Sequence, residues 1–479
     1  MTTSSTAEIA LSARKSRLRR MVIAFSVSLV MVMATVEATV VVAVLPSITR
    51  ELGGLHLYRW IVAAYMLASA MLMPVFGRLA DSHGRRPTFF AALFLFVAGS
   101  AASGAASTMQ ILIAFRVIQG FGAGGLLVLA YTILGDIYTP AERAKVQGVL
   151  AALWSAAGAA GPLLGALILR VGSWRWAFYV NVPIGIAVWL LTRTTYVDTH
   201  VPRRHGFDLP GAVLLSGGIG GFLLSVGERI SITGILVSSV LIVLFVFQER
   251  RASEPLLPLE LLQRPLVAVS CLADFARIAA GYGTLTYLPL FASSRPGGNE
   301  TTAGLVLVPV FIGVLIGSTL GGQIAHRISL RRFTQIALWV YTGATIADAW
   351  LISTGGSAAM LRVALVVFGV GMSAGSLALV LTVQSSVARP ELGTATGALT
   401  LARYIGAALG VGLLGSILSS GATAGDVLNS AARQGLLLPL RHMFDAIACV
   451  ALAGAVMTLF FPFVPKLTDI PETLDTLEA

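Results

Sequence analysis

The sequence predicts an all-α integral membrane protein, and three observations lead to that prediction. Hydrophobic residues make up 56% of the 479 residues and charged residues only 11%, which is more apolar surface than one globular core hides. The apolar residues are gathered in runs of about 20, the length that crosses a hydrocarbon core as a helix. Since backbone polar groups in a bilayer must be paired within the protein, runs of this length are helices.

Fourteen such runs follow one another along the chain. The predicted spans lie near residues 21–46, 60–76, 89–107, 109–133, 146–169, 176–192, 209–227, 232–247, 266–292, 303–325, 333–353, 361–385, 394–419 and 442–465. The first run is too long for a secretory signal and is followed by no small-residue cleavage site, so it is interpreted as a retained span.

The basic residues predict the orientation of these spans, because Lys and Arg favour the cytoplasmic side of a membrane. With the N-terminus inside, the cytoplasmic segments hold 21 of the 33 Lys and Arg residues, the outer segments hold 9 and the spans hold 3. Both termini are therefore predicted to be cytoplasmic. The net charge of +11 follows from this asymmetry, so anionic lipid headgroups account for it and no nucleic-acid partner is expected.

Charges are concentrated in one short segment, "GRLADSHGRR", which is predicted to be the inner loop between spans 2 and 3. Its two glycines would allow a tight turn, and its aspartate can pair with a basic neighbour. The candidate residues of this segment are Gly77, Asp81, Gly84, Arg85 and Arg86. From physical chemistry alone, an ordinary solvated loop remains an alternative.

Ionisable residues inside spans are further candidates, because a charge in the membrane is costly and is usually functional or paired. Glu37 in span 1 is interpreted as a lone carboxylate. Such a group is costly to ionise in an apolar span and can therefore exchange a proton near neutral pH. Proton coupling or contact with a cationic substrate is the favoured role of Glu37, and a structural pairing is the alternative. Arg116 lies inside span 4 and is a candidate for the same site.

The other embedded charges lie in the second half of the chain. Asp274 and Arg277 in span 9 are three residues apart on one helical face, which favours an internal ion pair. Arg403 in span 13 could belong to the site or could position helices. Asp348 and Asp445 lie toward span ends, where partial solvation is expected and makes them weak candidates.

Several other classes of protein lack the residues they need. An ATP-driven pump requires a G-x-x-x-x-G-K-[ST] loop, and no Lys of this chain follows a Gly. The segment "GMSAG" (371–375) has the form of a hydrolase nucleophile motif but lies in an apolar helix, where Gly371 and Gly375 favour helix packing. The six His residues show no metal-ligand spacing, and the two Cys residues lie in apolar runs. A channel or a non-transporting receptor remains an alternative.

Three motifs resemble those of the major facilitator superfamily. "GRLADSHGRR" is similar to the loop signature G-x-L-A-D-x-x-G-R-R, and "RVIQGFGAGG" resembles the span-4 motif, whose Arg, here Arg116, is associated with proton transfer. Span 5 resembles the antiporter motif, with Ala157 and Ala166 in place of two of its glycines. Ordinary tight packing is the alternative for this motif. The matching residues of span 5 are Gly148, Gly161, Pro162 and Gly165.

Two further segments resemble the drug:proton antiporters with fourteen spans. "VEATVVVAVLPSI" is similar to the L-D-x-T-I-V-N-V-A-L-P pattern of that branch, with Glu37 in place of Asp and Val42 in place of Asn. "WRWAFYVNVPIG" (174–185) is close to W-R-W-x-F-x-x-N-x-P-x-G. The resemblance extends over essentially residues 21–465.

An internal repeat supports a division into two related halves. "GRLADSHGRR" aligns with "GQIAHRISLRR" (322–332) at an offset of 245 residues. The predicted organisation is a basic cytoplasmic N-terminus, a six-helix half, a linker with two extra spans, a second six-helix half and a cytoplasmic tail. These units are residues 1–20, 21–192, 193–265, 266–465 and 466–479.

The resemblance implies a major facilitator fold and a secondary active transporter instead of an enzyme. It implies export of drugs or other amphipathic or cationic small molecules by alternating access, driven by a proton gradient, with no cofactor and no metal. The chain is then expected to be a multi-pass monomer in lipids of the bacterial cytoplasmic (inner) membrane, with Asp81, Arg85 and Arg86 as a conformational latch. Because function resides in the cavity and not in the fold, export of a lipid, siderophore or metabolite is the alternative.

Overall fold

A computed structural model describes most of the chain. It covers residues 3–138, 153, 156–158, 160–170, 172–196, 208–225, 231–252, 255, 259–295, 297–325, 327–387, 391–421 and 436–461. Within these ranges the protein is helical and contains no β-strand. Large apolar side chains such as Phe94 and Ile232 are 70% and 73% exposed, as expected where the surrounding medium is lipid.

Fourteen helices correspond in order to the predicted spans. The first six are α1 (Thr3–Leu52), α2 (Tyr58–His83), α3 (Arg85–Gly104), α4 (Met109–Ile137), α5 (Ala156–Arg170) and α6 (Asn181–Thr195). The inserted pair is α7 (Leu209–Ser225) and α8 (Ile232–Arg251). The last six are α9 (Pro265–Ser294), α10 (Val308–Ala325), α11 (Leu330–Thr354), α12 (Ala358–Gln384), α13 (Leu392–Gly421) and α14 (Leu437–Met457).

Twelve of the helices in the described ranges are long and apolar enough to cross a membrane. The other two, α5 and α7, are shorter, with apolar stretches at Ala156–Arg170 and Pro210–Phe222. The all-helical membrane architecture is therefore confirmed, while the count of fourteen spans is not. Part of predicted span 5, including Gly148, lies outside the described residues.

The segment between α2 and α3 differs from the predicted loop. Residues 77–83 continue α2, and α3 begins at Arg85, so Gly84 is the single residue that joins the two helices. Its backbone dihedrals are φ 96° and ψ 152°, a conformation that side chains with a Cβ rarely adopt. The predicted tight turn is found at Gly84, but the connection is shorter than predicted because residues 77–83 and 85–88 are helical.

The two six-helix halves pack in the same way, with an offset of eight helices. In the first half α4 packs closely against both α2 and α3, and in the second half α12 packs against both α10 and α11. Contacts between α1 and α6 and between α3 and α6 likewise correspond to contacts of α9 and α11 with α14. The packing is that expected of an internal structural repeat.

Glycines allow the closest of these approaches. On α4, Gly122 faces the backbone of Phe96 in α3 and Gly124 faces the backbone of α2. On α12, Gly369 faces the backbone of α10 and Gly371 faces that of Tyr341 in α11. A Cβ at any of these four positions would overlap main-chain atoms, which is the pattern of small-residue packing between membrane helices. The predicted packing role of Gly371 is confirmed.

The interface between the two six-helix halves is called the seam here. It is closed at the end of the bundle where α1 ends and α2 begins. Tyr58 donates a hydrogen bond to the carbonyl of Thr286 at 2.8 Å, and its ring stacks on that of Tyr287 at 5.6 Å between centroids. Arg59 Nη1 donates to the carbonyl of Gly412 at 3.1 Å. The N-terminal turn of α2 is thus hydrogen-bonded to both α9 and α13.

The inserted pair α7 and α8 lies beside this seam. Helix α7 contacts α2 of the first half and α13 of the second, while α8 packs mainly on α7. Asp208 caps the start of α7, since its Oδ1 accepts hydrogen bonds from the Gly211 N–H at 2.9 Å and from Gln248 Nε2 of α8 at 2.7 Å. This carboxylate therefore fastens the two inserted helices together.

Candidate functional site

Glu37 and Arg116 form a buried ion pair in the first half. Glu37 projects from α1 and Arg116 from α4, and the two residues are 0% and 1% exposed. Arg116 Nη1 donates to Glu37 Oε1. The prediction of a lone carboxylate is therefore wrong, because the packing of α1 on α4 brings together two charges that are 79 residues apart in the chain.

Three other groups hold the Arg116 guanidinium. Its Nη1 also donates to Gln119 Oε1 at 2.7 Å, and its Nε donates to the carbonyl of Ile61 in α2 at 3.1 Å. The guanidinium carbon lies 4.0 Å from the ring centroid of Tyr65, a cation–π distance. Glu37 Oε2 and Gln119 Nε2 have no hydrogen-bond partner in the structure. Arg116 is thus fixed on several sides, while Glu37 keeps one oxygen available.

A second buried charge cluster lies in the other half. Asp274 accepts hydrogen bonds from Arg277 Nε at Oδ1 (2.8 Å) and from Arg403 Nε at Oδ2 (2.9 Å). Arg277 Nη1 also donates to the carbonyl of Met372 in α12 at 2.9 Å, and Tyr341 of α11 donates to the carbonyl of Arg277 at 2.9 Å. The predicted pairing of Asp274 with Arg277 is confirmed, and Arg403 extends it across helices.

The two clusters differ in formal charge and in the exposure of their side chains. Glu37 and Arg116 balance one another, whereas Asp274 faces two arginines. The Arg277 side chain is 2% exposed and the Arg403 side chain 20%. The second cluster therefore carries one excess positive charge, and its most exposed member is Arg403.

Tyrosines accompany both clusters. Tyr65 of α2 is within electrostatic range of Glu37 and Arg116 and also of Tyr282 in α9 and Tyr404 in α13. Tyr282 is in turn within range of Arg277 and Arg403. Tyr282 and Tyr404 are half-buried. Tyr65 thus lies on Arg116 of the first cluster, and Tyr282 and Tyr404 belong to α9 and α13, the helices that carry the second cluster.

The described residues of the antiporter-like segment pack α5 on α1. A Cβ at Gly161 would overlap the Thr39 side chain, and one at Gly165 would lie 2.9 Å from Ala43 Cβ. The carbonyl of Pro162 lies 3.3 Å from the position of a Cβ at Gly304, in the second half. Helix α5 therefore lies at the seam and contacts α1 close to Glu37.

Three contacts at the α2–α3 junction lie within the first half. Arg86 Nη2 donates to the carbonyl of Arg193 at the end of α6 at 2.8 Å, and its guanidinium lies 5.9 Å from the Phe90 ring. Gly77 packs in α2 against Val128 of α4. The Asp81 side chain lies outside the described part of the structure, so the latch remains a prediction.

The "WRWAFYVNVPIG" segment has a structural role. Trp174 Nε1 donates to Glu51 Oε2 at the end of α1 at 2.7 Å, and Arg175 forms an ion pair with Glu51 Oε1. Asn181 Nδ2 donates to Ser100 Oγ of α3 at 2.9 Å. The segment therefore links the start of α6 to α1 and α3 by hydrogen bonds and an ion pair.

The two carboxylates predicted to be partly solvated differ from one another. Asp445 is exposed, as expected. Asp348 is 1% exposed, and neither of its carboxylate oxygens has a hydrogen-bond partner. That prediction is wrong for Asp348 because depth along a span does not show which face of the helix is packed.

Sequence reasoning missed four residues on the helices that carry these charges. They are Tyr65, Gln119, Tyr282 and Tyr404. Gln119 could have been found, since it is one helical turn after Arg116 and on the same face. For the tyrosines no sequence signal distinguishes a residue at the seam from one facing lipid. Among the described residues no group of His, Cys, Asp or Glu could hold a metal ion.

Sequence comparison identifies similar proteins. Residues 27–411 match the Major Facilitator Superfamily. The chain is 30% identical over 408 residues to the multidrug transporter protein MdtP of Bacillus subtilis, covering 83% of this chain and 75% of that protein. It is 34% identical over 315 residues to multidrug resistance protein 3 of the same organism, covering 64% of this chain and 62% of that protein.

Solved structures of the same fold are similar over almost the whole chain. A bacterial homologue of the human lysosomal transporter Spinster, in an inward-facing and unoccupied conformation, matches with a TM-score of 0.67 and 15% identity, covering 92% of this chain and 96% of that one. The xylose transporter XylE from E. coli matches with a TM-score of 0.62 and 14% identity, covering 92% and 99%. These similarities show the fold.

Proposed function

Because the chain belongs to the Major Facilitator Superfamily and is a membrane transporter, not an enzyme, we propose that it exports drugs or other amphipathic or cationic small molecules in exchange for protons. One observation carries the proposal: each half contains a buried carboxylate paired with arginine. The multidrug relatives support the class of substrate. The proton gradient of a bacterial cytoplasmic membrane supplies the energy, without a cofactor.

The chemistry of coupling centres on Glu37. A proton on this carboxyl removes the charge that pairs with Arg116, which leaves a buried guanidinium held by Gln119, Ile61 and Tyr65. The energy of a buried ion pair changes by several kcal/mol when one partner is neutralised, on the order of 3–5 kcal/mol. Because α1 also contacts α9 of the other half, a rearrangement at Glu37 reaches the seam.

The second cluster has a different task in this proposal. Its excess positive charge sits across the seam from Glu37 and is partly exposed at Arg403. A cationic substrate is therefore expected to bind closer to Glu37 and Tyr65 than to Arg403. Alternating access would open and close the seam, with Tyr58 and Arg59 released from the second half when that end opens.

The fourteen-span branch is part of the proposal and has a direct test. Reporter fusions after residues 200 and 255 should both report the cytoplasm, because α7 and α8 would cross the membrane and return. A fusion after residue 229 should report the opposite side and serves as the control. If fusions after 200 and 255 report opposite sides, only one of α7 and α8 crosses and the fourteen-span topology is ruled out.

The α2–α3 junction is proposed to act as a latch between the halves, with Asp81, Arg85 and Arg86 in contact with the second half when the other end opens. Asp81→Asn should slow transport several-fold while leaving thermal stability and substrate affinity nearly unchanged, because only one conformation loses a contact. The measurement is initial transport rate per inserted protein, with Glu391→Gln as the control carboxylate. If Asp81→Asn transports at the wild-type rate, the α2–α3 junction does not act as a latch.

The test of the function itself is a substrate panel in proteoliposomes with an imposed pH gradient. The panel contains the cationic dye ethidium, a neutral amphipath, a fluorescent phospholipid and an iron-chelating siderophore. Proton-driven accumulation of ethidium or the neutral amphipath supports drug export. Movement of only the lipid or siderophore supports the alternative substrate. Substrate movement that does not depend on the pH gradient contradicts proton coupling.

A further inference from the structure

Asp348 is a buried carboxyl group without a partner. It lies on α11, two helical turns after Tyr341, and is 1% exposed. Neither of its oxygens accepts a hydrogen bond or forms an ion pair. The neighbouring residues of the helix that are also buried are Ala344, Thr345, Ala349, Leu351 and Ile352, so the environment is mainly apolar.

Among the described residues, no charged side chain forms an ion pair with Asp348. On α9, which Tyr341 contacts, Asp274 and Arg277 are paired with one another. On α11 itself Tyr341 is within electrostatic range, but its hydroxyl donates a hydrogen bond to the carbonyl of Arg277. Helix α10 carries no titratable residue, and the turn at Thr458–Phe460 carries none either. The titratable residues of α12 and α14 make no described hydrogen bond or ion pair with it. They are Arg362, Arg441, His442, Asp445 and Cys449, all of which are exposed except the half-buried Arg441.

Two other embedded carboxylates have arginine partners. Glu37 has Arg116, and Asp274 has both Arg277 and Arg403. An ionised carboxylate in apolar surroundings with neither a counter-charge nor a hydrogen bond is strongly unfavourable, and such a group neutralises instead. We propose that Asp348 holds a proton in this conformation and is a proton-binding site of the second half, separate from Glu37.

The surroundings of Asp348 connect this site to the second charge cluster. Tyr341 of the same helix donates to the carbonyl of Arg277, and Gly371 of α12 lies against the Tyr341 backbone. The next residue, Met372, accepts a hydrogen bond from Arg277 at its carbonyl. Movement of α11 against α12 that admits water to Asp348 therefore also shifts the partners of Arg277.

A proton cycle follows, and this step rests on the proposed function. When water reaches Asp348, the O–H bond of its carboxyl breaks and the proton passes to water, leaving a hydrated carboxylate. When the helices close again, the carboxylate must regain a proton before it can be buried. Opening and closing of the second half is then tied to uptake and release of one proton at this residue.

The protonation state can be tested on the purified protein without transport. Difference infrared spectroscopy on wild type should show the carbonyl stretch of a protonated carboxyl that persists above neutral pH. Asp348→Asn should lose this band, and Asp445→Asn, on the facing helix, should keep it. Asp348→Asn should also unfold at a temperature close to that of wild type, because it replaces a neutral acid by a neutral amide. Absence of the band in wild type, or its persistence in Asp348→Asn, would overturn the proposal.

The coupling role needs a second measurement, with ethidium as the probe in proteoliposomes. Asp348→Asn should lower the number of protons moved per ethidium, Asp348→Glu should restore it, and Asp445→Asn should leave it at the wild-type value. An unchanged ratio in Asp348→Asn overturns the coupling role even if the infrared band is lost. If wild type exchanges no protons for ethidium, the proposed function fails for that substrate, while the infrared result still decides whether Asp348 holds a proton.

Discussion

Glu37→Gln should abolish accumulation of substrate against its gradient while leaving substrate binding and downhill exchange intact. The amide resembles a permanently protonated carboxyl, so Arg116 loses its counter-charge in every conformation and uptake of a proton no longer changes the pair. Gln119, Ile61 and Tyr65 still hold the guanidinium, so we expect the variant to fold. The measurement is pH-gradient-driven transport in proteoliposomes, normalised to inserted protein.

Two further variants separate a proton carrier from a structural partner. Glu37→Asp should retain partial coupling, since only the length of the side chain changes. Glu51→Gln, on the same helix, breaks an ion pair with Arg175 whose side chains are 48% and 28% exposed, and should keep gradient-driven transport. Full gradient-driven accumulation by Glu37→Gln would remove Glu37 as an essential carrier and leave Asp348 as the principal candidate.

Asp274→Ala is expected to be among the most destabilising single substitutions in the second half. It leaves Arg277 and Arg403 without their shared carboxylate, and removing one partner of a buried ion pair typically costs about 3–5 kcal/mol. Glu391→Ala is the matched control, because the Arg264–Glu391 pair is 46% and 34% exposed and an exposed pair contributes only about 0–1 kcal/mol. The measurement is the midpoint of thermal unfolding in detergent, together with the abundance of inserted protein.

A double variant tests the cause of that loss. Asp274→Ala combined with Arg403→Gln should recover part of the stability, because one of the two unpaired cations is removed. If Asp274→Ala unfolds at the same temperature as Glu391→Ala, the cluster does not stabilise the fold. If the double variant is less stable than Asp274→Ala, unpaired charge is not the cause.

The order of the helices could be predicted because the membrane demands long apolar runs, whereas the count of fourteen spans is not confirmed, since α5 and α7 are shorter than the other twelve. The pairing of Asp274 with Arg277 could be predicted because three residues is a fixed distance on a helix. The pairing of Glu37 with Arg116 could not, since it depends on how α1 packs against α4. The same limitation explains Asp348, because tertiary contacts decide which face of α11 is packed. The tight turn at Gly84 could be predicted from its glycine, whereas the helical extensions on both sides could not, because polar residues at helix ends have the composition of a loop.

In the hydrogen bonds across the closed end of the seam, the donor and acceptor residues respond differently to mutation. Tyr58 and Arg59 donate from side chains, whereas Thr286 and Gly412 accept with main-chain carbonyls. A carbonyl is present whatever residue occupies the position, so a substitution at Thr286 or Gly412 does not remove the acceptor group. Substitutions that delete these two hydrogen bonds outright are therefore expected at Tyr58 and Arg59, and a genetic screen for altered opening should recover them there.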